Sequence, residues 1–555
     1  MTTFVRKFFL PALLLVFFSL GLYLAKNTSA TIDEAIFHIT DGYTTLKTHD
    51  YRLNPVSPAF ARQWVAMPLL FLDLKLDLTG RAWKEADSSE FGEKFIYLDN
   101  RDQALLILFL SRLMNLVLGA ALVAVVFWWA FQLYGFFAAV IASALTAFTP
   151  SILAHSAIAA TDLPVAFWSV LFLFCLWQWA RGAGSRWFLF LILSLGLAQS
   201  SKFTALFFYP VLGIILWREK GFKKAVWYFM WIFMGSMLVV WATYFFEWKP
   251  LLQNVPRVDE KLQMIRAISA RLFPDNTAIS DWLKNAALNL PIPLPSYLLG
   301  IAGVVRGYPD GYMHYFNGQW TKDVYWFYYV VIFLVKMTPA FLLLLLLRTA
   351  VSIKERLDRK IYFYTLLPTA VFFLMTLKDP TAVGMRYILV TVPLLAICIG
   401  GLAAISVTPE KVWKYLLMGL VFLQVAVFAR IYPYCLDYFN LLVDGTANAY
   451  HYFRGSDVDW GQGLVYLKKY LDRNGIQQKV VLQSFGSADP SLYGIDYRAP
   501  VEGEMMKPGN EIYAVSVQQL ESFKWTATKR PDEKLGSAIF VYDFRDKNKL
   551  AGGSA

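Results

Sequence analysis

Two acids, Asp33 and Glu34, stand side by side in "ATIDEAIFHITDGYTTLKTHDYRLNP", directly after the apolar run Phe8 to Ala25, which is about as long as a bilayer crossing requires. A carboxylate just beyond the outer end of a span can sit in a wet cavity near lipid and take a proton from an acceptor presented at the surface. An isolated acidic pair is more often two solvated loop residues. What sets this one apart is its company: Arg112, Asp162, Lys202, Glu247, Asp379 and Arg386 also fall at the ends of apolar runs, all on one side of the membrane by the charge pattern. Each such charge costs up to about 2.5–3.5 kcal/mol if drawn toward the bilayer centre, although any one of them can snorkel. Lys336, in "FLVKMTPAF", lies about ten residues inside an apolar run and needs a partner or a water-filled cavity. A structural ion pair and a contact to an anionic lipid headgroup are equally open for it. His314, in "YPDGYMHYFNGQW", lies among aromatic residues and glycines, where rings could stack on a sugar and the imidazole could meet a phosphate. A lone loop histidine is more often inert. Asp33, Glu34, Asp162 and His314 could converge as metal ligands, yet no short ligand spacing marks a dedicated site. No metal and no cofactor is assigned, with room left for a divalent cation.

The elements that must position these residues are transmembrane helices. Apolar residues make up 57% of the chain and charged ones 17%, with mean hydropathy +0.45, more than one soluble core would need. The net charge of +12 is spread in short clusters between apolar runs, which argues against nucleic acid as a partner and for membrane topology. About eleven runs are candidate spans: Phe8 to Ala25, Leu113 to Tyr134, Gly135 to Ala157, Leu163 to Ala180, Trp187 to Gln199 and Phe203 to Trp217, then Ala225 to Phe246, Trp326 to Leu347, Ile361 to Leu377, Tyr387 to Val407 and Val412 to Ile431. The first, preceded by Arg6 and Lys7, is read as an anchor, being long for the apolar core of a cleaved signal. Lys and Arg concentrate in alternate loops, which puts the N-terminus in the cytoplasm of a multi-pass plasma-membrane protein. The opposite, extracytoplasmic face receives the loops 26–112 and 247–325 and the tail 432–555.

In the first loop Ile32, Ala35, Ile36, Ile39, Tyr43 and Leu46 recur at helical spacing, and Pro58 to Leu76 is mostly apolar, so both suit helices at the membrane interface. The tail changes character. A helical pattern, "WGQGLVYLKKYLDRNG", closes on Gly475, and strand-like "KVVLQSF", "EIYAVSV" and "SAIFVYDF" follow, predicting a small α/β domain over 432–555 beside a transmembrane domain over 1–431. Cys175, Cys398 and Cys435 offer no intrachain disulfide framework.

The ordered set "IDEAIFHITDGYTTL", "DYRLNPVSPAF", "TDLPVAFW", "SKFTALFFYP", "GYMHYFNGQW…WFYYVVIFLVKMTP", "GMRYILVTVP" and "DYFNLLVDG…GSDVDWGQGLVYLKKYL" resembles the bacterial members of the protein O-mannosyltransferase superfamily, glycosyltransferase family 39. These have the GT-C fold and are related to the lipid A aminoarabinose transferases. The resemblance covers almost the whole chain, including "DPSLYGIDYRAP" and "YAVSVQQL" of the tail. It implies an α-helical GT-C membrane protein that moves a sugar from a polyprenyl-phosphate donor to an acceptor on the extracytoplasmic face, with inversion. It also implies that Asp33 acts on the acceptor and Glu34 helps shape the site. Arg112, Asp162, Lys202 and Arg386 match positions near the outer leaflet, the cations among them suited to the donor's phosphate; Lys336 and His314 join them as donor-binding candidates. The chain departs from the family in its first loop, where N-P-x-H-P-P-L is replaced by Asn54, Pro55, Val56, Ser57, Pro58, Ala59 and Phe60, which bears on acceptor or donor choice.

In such a reaction the leaving phosphate passes from one negative charge to nearly two, so cations placed there favour the transition state over the ground state. The implied partners are the lipid-linked sugar, an acceptor protein or lipid, and membrane lipids. A transporter or flippase of lipid-linked sugars is the alternative; it would be expected to show related halves and a site near the midplane, and the sequence shows no such symmetry.

Overall fold

Away from water a backbone must satisfy its own donors and acceptors, and a helix does so within one segment. In the computed structural model, which describes residues 3–253, 256, 262, 277–307, 311–354, 359–405 and 409–545, each of the expected apolar runs contains helix, interrupted in some of them by turns. Their lengths differ from expectation. Five helices are long and apolar enough to span: Arg6–Asn27, Arg101–Tyr134, Asp162–Ala180, Phe222–Thr243 and Glu410–Ile431. Two bent pairs raise the number to seven among the described residues, Phe136–Ala147 with Pro150–Ser156 at 64° and Tyr328–Lys336 with Pro339–Val351 at 114°. Arg186–Ser201, Ile361–Thr376 and Thr391–Ala404 are apolar but shorter. Proline causes both breaks: Pro150 and Pro339 begin their helices, where a missing N–H costs nothing, while the residues before them are pushed out of the helical region. Thr149 is accordingly extended. Arg112 was expected to open the second span; the helix instead starts at Ala104, because "ALLILFL" continues the apolar run toward the N-terminus, and Arg112 lies inside it.

The chain divides into two compact units, one of residues 1–34, 115–158 and 311–555 and the other of residues 35–114 and 159–310. In the first, Thr391–Gly400 packs on Phe136–Ala147, burying Ile141, Leu145, Leu394 and Ile397 completely. Its tail carries a five-stranded sheet in the order Tyr497–Arg498, Val480–Gln483, Ile512–Ser516, Ile539–Asp543, Glu533–Leu535. The first two pairings are parallel and the last two antiparallel. The central strand Ile512–Ser516 is buried throughout, as a strand covered on both faces must be. The three longer strands are those read from the sequence; the two short flanking strands, of 2 and 3 residues, carry no periodic signal. The expected tail helix runs Leu464–Arg473, its buried Leu464, Leu467 and Leu471 on one face, and Gly475 follows with φ 62° in the left-handed region that ends helices.

In the second unit, Arg186–Ser201 packs between Asp162–Ala180 and Phe222–Thr243. The two amphipathic stretches of the first loop form the helices Thr40–Thr48 and Ala59–Ala66, which pack on each other. A Cβ at Gly42 would fall on the backbone of Arg62, so glycine permits that close approach.

Candidate active site

Asp33 and Arg386 meet. Asp33 sits in the first helical turn after residue 31, and its carboxylate accepts a hydrogen bond from Arg386 Nη1 at 2.7 Å, both side chains about one-fifth exposed (20% and 17%). The Arg386 guanidinium lies over the Trp460 indole, 4.5 Å from the ring centroid. Glu34 is fully buried and accepts the Thr31 N–H at 2.8 Å, satisfying a donor at the start of the helix. Its contact is thus to the backbone that carries Asp33.

One tail segment, Ser456 to Leu464, holds both partners. On one side it takes the chain preceding Asp33: Ser29 N–H and Ile32 N–H donate to the carbonyls of Gln462 (3.2 Å) and Trp460 (3.0 Å). Ser29 Oγ bridges the Gly461 carbonyl and the Leu464 N–H. On the other side the Asp457 carboxylate accepts the Met385 N–H at 2.9 Å, and Ser456 Oγ donates to the Val383 carbonyl at 2.8 Å, fixing the turn that presents Arg386. Gly384, at φ 88°, lets this happen, since a Cβ there would overlap the Asp457 carboxylate.

Lys336 ends the Tyr328–Lys336 helix at the 114° break and is buried. Its ammonium donates to the carbonyls of Leu436 (2.8 Å) and Asp457 (3.1 Å), lies 3.6 Å from the Asp457 carboxylate, and stands over the Phe439 ring. Of the two readings left open for it, this geometry has the form of the structural ion pair. Two further carboxylates complete the polar core of the tail. Asp459 accepts from Gly461 N–H at 2.9 Å and from Ser516 Oγ, and burial pushes it up to about 7. Asp437 accepts from Gln462 Nε2 and Ser537 N–H, and burial raises it to about 6.

His314 opens a short hairpin of His314–Phe316 with Gln319–Thr321. It is buried, edge-on to Tyr325 and Tyr328, and its Nε2 meets no hydrogen-bond partner. Burial lowers its proton affinity, outweighing the opposing pull of the Tyr312 carbonyl, Asp379 and Asp323, so the ring is a neutral donor or acceptor near pH 7 rather than a cation. Asp379 is engaged by the Tyr329 hydroxyl and by Thr381.

In the other unit, Asp162 is the buried first residue of Asp162–Ala180, where a negative charge is favoured by the helix dipole. Lys202 Nζ reaches it at 2.5 Å from the break after Arg186–Ser201. Arg112 is completely buried in its helix. Glu247 is taken by Ser296 N–H and Oγ and by Lys249. Asp41 and Arg62 form a buried ion pair across the two first-loop helices that the sequence reading did not single out. Desolvation brings Arg62 down to about 10. Among the described residues no three His, Cys, Asp or Glu side chains come together as metal ligands.

Asp457, Asp459, Trp460 and Asp41 are the residues that sequence reasoning passed over. The signal for the first three was present in "GSDVDWGQG", where two acids and a tryptophan crowd a glycine-rich turn; what they touch was not.

Comparison with known proteins adds to this. Residues 93–250 match the family model described as Dolichyl-phosphate-mannose-protein mannosyltransferase. No curated protein sequence matches the chain. Among solved structures, the chain is similar to ArnT from Cupriavidus metallidurans bound to undecaprenyl phosphate, at 9% identity over 97% of this chain and 98% of that one, with TM-score 0.49. It is also similar to the oligosaccharyltransferase AglB from Archaeoglobus fulgidus in complex with an inhibitory peptide and a dolichol-phosphate, at 11% identity over 93% and 70%, with TM-score 0.45. The family match falls on the segment that carries Arg112 and Asp162, so over residues 93–250 this multi-pass membrane protein is similar to the dolichyl-phosphate-mannose-protein mannosyltransferases, in agreement with the motifs spread along the chain.

Proposed function

We propose that the chain moves a sugar from a polyprenyl-phosphate carrier to an acceptor hydroxyl, with Asp33 as the general base. The observation that carries this reading is the Asp33–Arg386 pair, a part-exposed carboxylate and guanidinium 2.7 Å apart and braced from both sides by the Ser456 to Leu464 segment. A base and a phosphate-binding cation held in one place are what the reaction asks for. The acceptor hydroxyl comes to the Asp33 carboxylate beside Arg386 and loses its proton as its oxygen attacks the anomeric carbon. Arg386, still paired with Asp33, also meets the phosphate, whose charge grows as the carbon–oxygen bond to it breaks. Attack opposite the leaving phosphate inverts the anomeric carbon. Glu34 positions Asp33 through the Thr31 N–H, and Lys336 positions Arg386 through Asp457. Within the unit that holds Asp33 and Arg386, the neutral His314 is the further candidate for contact with the donor headgroup; Arg112 and Asp162 with Lys202 are donor-binding candidates by the resemblance alone.

The concentration of Lys and Arg in alternate loops supports a cytoplasmic N-terminus in a bacterial inner membrane, with the reaction and the tail 432–555 on the extracytoplasmic side. The flippase alternative has gained no support from the family match, which is to transferases.

The test supplies membranes containing the protein with polyprenyl-phosphate hexose labelled in the sugar, beside an Asp33→Asn variant. Label should reach protein or lipid with Asp33 intact and fall at least about 100-fold in the variant, the usual worth of a positioned base. Label that crosses the bilayer and stays on its carrier equally in both forms would refute the transferase.

A further inference from the structure

The tail holds a cavity of about 680 Å³ whose lining includes neither Asp33 nor Arg386 and has a chemistry of its own. Arg454, Lys524, Lys529 and Arg530 face it with one carboxylate, Glu521. Its wall includes Tyr450, Phe540 and Tyr542. The volume is that of a small-ligand site rather than a crevice between side chains.

The charges divide into a fixed set and a free set. Arg454 is nearly buried: its guanidinium stacks on Tyr315, 4.1 Å from the ring centroid, and pairs with Glu521 at 3.1 Å, while its Nε meets no hydrogen-bond partner. Trp320 Nε1 holds the other oxygen of Glu521 at 3.0 Å, so the carboxylate is already committed. Lys529 approaches Asp532 only at 3.9 Å. Among the described residues neither Lys524 nor Arg530 has a carboxylate within ion-pair distance. The cavity therefore offers cations whose charge the protein does not itself neutralise. In the aromatic wall Tyr450 lies edge-on to Phe540 at 4.8 Å, and Lys534 packs over both rings. Cations select an anion, and ring faces select a flat apolar patch such as the C–H face of a sugar.

We propose that this cavity binds an anionic saccharide, a sugar ring bearing phosphate or carboxylate, at a site independent of the donor chemistry at Asp33. Arg454 and the free cations take the anion, and Tyr450 with Phe540 takes the ring.

Calorimetry on the full chain in nanodiscs, with no lipid-linked donor present, tests this apart from the transferase reading. The probes are glucose 1-phosphate, glucuronate, glucose and inorganic phosphate. Glucose 1-phosphate and glucuronate should bind, glucose should bind more weakly than either, and phosphate more weakly than its sugar ester. The double variant K524E/R530E, whose side chains are exposed, should weaken the sugar phosphate by at least about tenfold, the lower end for contacts to a charged group. K507E, the same kind of charge reversal at a single exposed lysine outside the cavity, should leave it unaltered. Glucose binding as well as its phosphate would overturn the anion half, and phosphate binding as well as the ester would overturn the sugar half. No binding of either charged sugar at millimolar concentration, or equal loss in K507E, would overturn the site.

Discussion

Replacing Arg386 by lysine keeps a positive charge near Asp33 and removes the fork that lets one side chain serve two anions. In the resting site the guanidinium gives Nη1 to Asp33 and lies on Trp460. As the carbon–oxygen bond breaks, the phosphate gains close to one further charge; at about 4 Å and an effective dielectric near 20, a full cation there is worth about 4 kcal/mol. Asp33, at 2.7 Å from the same guanidinium, cancels part of that field, so we expect alanine at this position to cost about 2–3 kcal/mol, or roughly 30- to 150-fold in kcat. Arg386→Lys should fall between wild type and alanine, at roughly tenfold, because a point charge cannot span both anions. The assay is steady-state transfer from the labelled carrier lipid, with kcat and KM separated and thermal unfolding as a control for the lost stacking on Trp460. An interaction that strengthens only in the transition state lowers kcat and leaves KM nearly unchanged. A rise in KM with full kcat would refute the reasoning, since Arg386 would then bind donor and transition state alike, and unchanged kinetics in the alanine variant would remove it from the reaction.

Lys336→Met leaves Asp457 buried without its cation and should lower stability by about 3–5 kcal/mol, read as a fall in thermal midpoint that Asp457→Asn in the same chain largely restores. Gly384→Ala should displace Asp457 or the Met385 turn and reduce kcat while the protein remains folded, seen by comparing transfer with near-UV circular dichroism. Asp459 gives a pH dependence: its folded value of about 7 lies above the ordinary 3.8, so the native state holds the proton more tightly than the unfolded one. Its contribution is therefore fully present below about pH 4 and lost as pH rises to about 7, on the order of 4 kcal/mol in all. Thermal midpoints should fall across that window, and Asp459→Asn should flatten the fall; an unchanged slope in the variant would assign it to other groups, Asp437 first.

Much of the architecture is legible from the chain alone, because hydropathy and period are local. The apolar runs became helices, and "KVVLQSF", "EIYAVSV" and "SAIFVYDF" became the three longer strands of the tail sheet, each of which needs only its own side-chain pattern to declare itself. Where helices stopped was less legible, since Pro150 and Pro339 break runs that hydropathy alone joins, and Arg112 lies within a helix whose start the charge concealed. The ionisable residues were conspicuous because charge beside lipid is costly wherever it occurs. Their partners were not. Asp33 and Arg386 are 353 positions apart, and the Lys336 ammonium meets the Asp457 carbonyl across 121. Glu247 and Asp379, equally prominent in the sequence, turn out to be occupied by Ser296 with Lys249 and by Tyr329 with Thr381. Residue type and burial tendency are properties of a short stretch of chain, whereas the pairing of one charge with another depends on distances that exist only after distant segments have packed, which is why the sequence determined that charges stand at the membrane's edge and only the tertiary structure decided which of them meet.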